Sequence, residues 1–160
     1  MVEFHKGQQV IHCRDGLAVI VDEIFMSGKT YFIVKTVRGD GENIYVPIDR
    51  AEAIIRPLLN VKEANALLER GKTIEVEYNP NTKQRRDSLK RRLGSGDVND
   101  SIHLLKQLYF YKTLKDGSVK YGPVDLDMIQ YASNNLLDEL AIVFNIDREK
   151  IEEFVFKKIA

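Results

Sequence analysis

The stretch Ile44–Leu68, IYVPIDRAEAIIRPLLNVKEANALL, contains the point at which this chain changes its period. Ile44, Val46 and Ile48 alternate with Tyr45 and Pro47, the two-residue period of a strand. After Pro57 the apolar positions are Val61, Ala64, Leu67 and Leu68, the three- and four-residue spacing of a helix, which Gly71 is expected to stop. Pro57 lacks a backbone donor and closes the first part.

Upstream of the change the chain reads as short strands. Val10-Ile11-His12 precedes the turn Arg14-Asp15-Gly16. Leu17–Val21 runs on to Ile24-Phe25-Met26, and Ser27-Gly28-Lys29 turns it back. Tyr31–Val34 continues to Val37, Arg38-Gly39-Asp40-Gly41 turns again, and Ile44–Ile48 is the fourth strand. Ala53-Ile54-Ile55 fits a short fifth. β-Branched and aromatic residues fill the runs and Gly marks the reversals, as in a small curled barrel of SH3 or Tudor type with at least one open strand edge. Such an edge also invites a domain-swapped dimer.

Downstream, Thr73–Tyr78 alternates and is expected to be extended. Asn79-Pro80-Asn81 breaks the chain, Thr82 caps a helix through Leu93, and Gly94-Ser95-Gly96 ends it. Asp97 caps the next helix, with Val98, Ile102, Leu105 and Tyr109 on one stripe. After a turn at Lys115-Asp116-Gly117, a long helix spans Asp125–Phe144 with Ile129, Leu136, Leu140 and Val143 inward. Asp147 caps a last helix carrying Ile151, Phe154 and Val155. The fold class is therefore α+β: a small Tudor/SH3-like β-barrel at 1–57, then an all-α bundle at 58–160.

Composition narrows the function. The 160 residues are 44% hydrophobic and 30% charged, as in a globular protein rather than a disordered one. Lys plus Arg and Asp plus Glu each total 24, which excludes a uniformly basic coat and an acidic tail. A single cysteine, Cys13, forms no intramolecular disulfide and suits a reducing compartment. No apolar run approaches the roughly 18 residues of a membrane span, and the first residues are too polar for a signal peptide, so a cytoplasmic protein is expected.

Chemistry-bearing motifs are sparse. His5, His12 and His103 lack metal-ligand spacing, and no second Cys completes a zinc site. Cys13 has no positioned base, because on a strand His12 points to the opposite face. Gly94-Ser95-Gly96-Asp97 lacks the Lys-Ser/Thr of a phosphate loop. Arg38-Gly39-Asp40 reads as a hairpin turn. The acidic pairs Asp138-Glu139 and Glu152-Glu153 read as solvent faces of helices. No catalytic residue, metal ligand or cofactor is expected.

The basic segment stands apart. Residues 81–92 hold six basic side chains against Asp87 alone, so one short stretch carries the positive excess of a neutral chain. On the expected 82–93 helix, Leu89 and Leu93 form a narrow apolar stripe. Arg86, Lys90 and Lys83 flank it on one side, Arg85 and Arg92 on the other. Such a face fits either a solvated helix surface or contact with a polyanion; in the second case it would position the protein on a phosphate backbone without reading bases.

These features together resemble the CarD/CdnL family of bacterial RNA polymerase-binding transcription regulators. The carriers are Phe4-x-Lys6-Gly7-x-x-Val10, Gly16 before a long strand ending in Ile24, Tyr45-Val46-Pro47 with Ile55-Arg56, and above all Arg85-Arg86 through Leu93-Gly94-Ser95-Gly96-Asp97-Val98. Leu136-x-x-Glu139-Leu140-Ala141 also fits the family's long helix. The resemblance implies that the first domain is a Tudor-like module that binds the polymerase β subunit by a strand edge, at Ile44, Tyr45, Val46 and Pro47. It implies that Lys83, Arg85, Arg86 and Lys90 contact promoter DNA, largely without sequence specificity, and that the open promoter complex is stabilised. Such a regulator is cytoplasmic and associates with the nucleoid through RNA polymerase. Two departures stand out. The family's tryptophan before the Arg-Arg pair, a minor-groove wedge, is absent, with Thr82 or Asn81 in its place and Tyr78 as the aromatic nearby. Tyr45 stands where an Arg is frequent. The residues taken alone also fit a standalone nucleic-acid-binding module or a protein-interaction adaptor.

Overall fold

The computed structural model describes residues 2–39, 41–114 and 116–160. Asp40, in the expected turn at 38–41, and Lys115, in that at 115–117, lie outside the described residues. The chain divides into two compact units, Met1–Leu58 and Leu59–Ala160.

The first unit is a five-stranded antiparallel sheet, not a closed barrel. Its strands are β1 (Gln9–His12), β2 (Gly16–Met26), β3 (Lys29–Thr36), β4 (Asn43–Pro47) and β5 (Ile55–Pro57), in the order β4-β3-β2-β1-β5. The edge strands β4 and β5 are short and each ends in a proline, which has no N–H to donate to a further ladder. The β2–β3 reversal uses two consecutive left-handed residues, Ser27 (φ 52°) and Gly28 (φ 79°), the backbone of a type I′ hairpin. A register shift between Ile20 and Asp22 bends β2. On one face Val10, Ala18, Ile20, Phe32, Val34 and Val46 form the core. Ala53 and Ile54, expected in a fifth strand, belong instead to the single helical turn α1 (Ala51–Ile54), which places Ala51 and Ile54 on this core. Only Ile55 enters β5.

The second unit contains five helices among the described residues: α2 (Val61–Thr73), α3 (Thr82–Gly94), α4 (Val98–Thr113), α5 (Pro123–Phe144) and α6 (Arg148–Ile159). Their starts follow from local chemistry. Asn60 and Glu63 exchange side chain–backbone bonds as a capping box on α2. Asn81, not Thr82, caps α3 by accepting from Gln84 N. Asp97 caps α4, and Pro123 opens α5. Gly71 does not stop α2. It is buried, and a β-carbon there would lie 2.9 Å from both Ile102 and Ile159, so the glycine serves helix packing. Thr73–Tyr78 pairs with no strand among the described residues.

Leu67, Leu89, Ile102, Leu105, Ile129, Leu140 and Ile151 lie in one core. Asp138 and Glu139, expected on a solvent face, are buried. Asp138 binds Arg148 at 2.7 Å, and Glu139 Oε2 accepts from Leu59 N at 2.8 Å. Lys106 is also interior. Its ammonium donates to the carbonyls of Gly71, Lys72 and Ile159, at the C-terminal ends of α2 and α6, where carbonyls lack helical partners. Among the described residues no helix is long and apolar enough to cross a membrane.

Candidate protein- and nucleic-acid-binding surfaces

β4 bonds to β3 on one side only, so alternate peptide groups along it face away from the sheet. Side chains alternate between faces. Val46 is fully buried, and Ile44 packs against the same core. Tyr45 points to the opposite face and is 48% exposed. The register places Ile33 opposite Tyr45, Tyr31 opposite Pro47 and Ile24 opposite Tyr31, so these five residues form an apolar band on the outer face beside the open edge. Of the four residues expected to meet a partner here, Ile44 and Val46 face the core with their side chains and face Val34 and Phe32 of β3 with their main chain, so the open edge is presented by Tyr45 and Pro47. Ile24, Tyr31 and Ile33 were not singled out from sequence, although their alternation along β2 and β3 carries the signal.

The second surface is α3. Its six cations have different fates. Arg85 does not face solvent: it is 8% exposed. Its Nε donates to Asp125 Oδ2 at 2.8 Å, its Nη1 donates to the Asn79 carbonyl at 3.0 Å, and its guanidinium lies over the Tyr78 ring at 5.3 Å. This corrects the expectation of a DNA-facing Arg85. The residue lies one helical turn before the buried Leu89 and shares its face. Arg92 is half-buried and bonds Asp100 at 2.7 Å. Arg86 is half-exposed, with Nε 3.4 Å from Asp125 Oδ1. Lys83, Lys90 and Arg91 are exposed and hold no ion-pair partner among the described residues.

The same burial occupies Tyr78. Its hydroxyl donates to the Lys120 carbonyl at 2.8 Å and its ring meets Tyr121 edge-on at 5.7 Å. It supports Arg85 and is not a free wedge.

Behind α3 lies a polar cleft of about 280 Å³ lined by Glu75, Glu77, Ser88, Arg92, His103 and Gln107, among others. Gln107 Nε2 donates to Tyr121 Oη, so its Oε1 is the acceptor at His103 and the neutral ring carries its proton on Nδ1. Burial, followed by the charge of Arg92, holds His103 below the ordinary imidazole value. Burial raises the Tyr121 phenol.

The two candidate surfaces are thus an open strand edge flanked by apolar side chains and a helix whose exposed cations have no ion-pair partner among the described residues. Residues 65–156 match the family model described as CarD, C-terminal domain, over more than half of the chain. The protein belongs to the CarD family, a regulatory, non-enzymatic family of transcription factors. Comparison with curated proteins finds no match.

Proposed function

We propose that this transcription regulator binds the β subunit of RNA polymerase through β4 and lays the solvent face of α3 on promoter DNA, prolonging the open complex. The reading is carried by the three exposed, unpaired cations of α3, Lys83, Lys90 and Arg91, with the half-exposed Arg86 beside them. A purely solvating helix face interleaves both signs as i,i+4 pairs, whereas Asp87 forms no ion pair here among the described residues. The N-terminal contact is strand addition along β4, with Tyr45 and Pro47 as side-chain contacts and the outward peptide groups of Asn43 and Tyr45 supplying backbone. Binding to polymerase raises the local concentration of α3 at the DNA, so two weak contacts suffice in one chain. A protein that prefers the open complex shifts that equilibrium by its differential affinity. With Tyr78 engaged inside the fold, the DNA contact is backbone-directed and does not depend on an intercalating side chain.

The test is co-elution of the full chain with the β-subunit lobe fragment of its own polymerase. Tyr45→Glu is the variant of choice, because Val46 is core and a charge there would disrupt the sheet. Wild type is expected to co-elute and Tyr45→Glu to lose the partner. No wild-type association at micromolar concentration overturns the polymerase contact.

A further inference from the structure

Arg85 and Arg86 are adjacent on α3, about 100° apart around its axis, yet both guanidinium groups converge on the carboxylate of Asp125, which is fully buried on the first turn of α5. Its Oδ2 is satisfied by Arg85 Nε at 2.8 Å and by Gly122 N at 3.3 Å. Its Oδ1 has no hydrogen-bond partner, and neither has Arg86 Nε, 3.4 Å away. Two buried polar atoms face each other just beyond hydrogen-bond geometry, an arrangement that costs free energy as it stands. Arg86 is otherwise 39% exposed, and its Nη1 and Nη2 hold no partner among the described residues.

We propose that Asp125 is the positioning residue of the DNA-facing surface: it neutralises Arg85 inside the fold and holds Arg86 by its Nε edge, so that Nη1 and Nη2 are presented to a backbone phosphate. This rests on the DNA-contact reading of α3. When the outer edge of the guanidinium engages phosphate, a small rotation closes the Nε–Oδ1 gap, so the unpaired atoms become paired in the complex. A guanidinium can do this because its donors form a rigid planar fork with two usable edges.

The sign of one substitution separates this role from simple electrostatics. Asp125→Asn adds one positive charge to a basic surface. Charge alone predicts tighter DNA binding, whereas loss of positioning predicts weaker binding. The full chain is titrated with a labelled duplex by fluorescence anisotropy at several salt concentrations. Asp125→Asn is expected to weaken binding several-fold and to lower the log–log salt slope by about one, the contribution of one phosphate contact. In an Arg86→Gln background the same substitution is expected to strengthen binding, because only the charge gain remains. If Asp125→Asn alone leaves Arg85 unpaired and unfolds the protein, Arg85→Met/Asp125→Asn removes both buried charges and keeps the net charge. That variant is expected to fold and to bind DNA as weakly. Tighter or unchanged binding of the folded Asp125 variant, with Lys83→Gln/Lys90→Gln weakened, overturns the positioning role alone. Unchanged binding of Lys83→Gln/Lys90→Gln overturns the DNA reading of α3 and the Asp125 role with it.

Discussion

Replacing Arg85 with methionine is expected to unsettle the helical unit while leaving the exposed cations of α3 in place. The substitution preserves length and apolar contact with Leu89 and Tyr78 but removes the guanidinium from Asp125, which is 0% exposed. Removing one partner of a buried ion pair costs about 3–5 kcal/mol, because the remaining charge is left without water or counter-charge. Part of this is recovered here. Arg86 Nε already lies 3.4 Å from Oδ1, and closing that gap to a charged hydrogen bond returns about 1.5 kcal/mol. The net loss is about 1.5–3.5 kcal/mol. At roughly 4–8 °C per kcal/mol for a domain of about 100 residues, the melting temperature falls by about 6–28 °C. Circular dichroism at 222 nm reads this change, since helix signal arises mainly from the second unit. Lys83→Met and Lys90→Met, exposed and unpaired, are expected to stay within about 0.5 kcal/mol of wild type. An Arg85→Met variant as stable as wild type that no longer binds DNA refutes the assignment of Arg85 to the scaffold and returns it to the interface.

Further outcomes follow from other interior contacts. Gly71→Ala places a β-carbon 2.9 Å from Ile102 and Ile159. The overpacking cost of about 1–3 kcal/mol exceeds the helix-propensity gain of about 1 kcal/mol, so urea unfolding shifts to lower midpoint, and a raised midpoint contradicts the packing argument. Lys106→Met orphans the carbonyls of Gly71, Lys72 and Ile159. A loss of about 1–3 kcal/mol is expected, with faster amide exchange in the last turn of α6, and unchanged exchange there counts against the clamp. His12 and His103 both lie below the ordinary imidazole value, chiefly through burial. Because the unfolded chain takes up these protons first, stability is complete above about pH 6.5 and is lost as pH falls below it, by at most about 1.4 kcal/mol per pH unit for each histidine. Urea midpoints at pH 7.5 and 5.5 check this, and a midpoint that does not fall at the lower pH contradicts it.

The switch from a two-residue to a 3.6-residue period near Pro57 is visible in sequence because it depends on neighbours a few positions apart. The same holds for the Asp97 cap of α4 and the inward stripes of α4 and α5. Where local signals mislead, a distant contact decides. Gly71 reads as a helix stop, but Ile102 and Ile159 need its missing side chain for close packing. Asp138 and Glu139 read as solvent-facing, but Arg148 and the backbone of Leu59 satisfy them in the interior.

The basic helix divides in the same way. Its location, its charge excess and the apolar stripe at Leu89 and Leu93 are properties of 12 consecutive residues, and sequence alone determined them. Which cations remain free was settled only by the tertiary structure. Arg85 and Arg86 are indistinguishable by residue type. A carboxylate 40 residues further on holds the first at 2.8 Å inside the fold and leaves the second at the surface. A buried charge requires a counter-charge, and chain pattern does not reveal where a remote one will be placed.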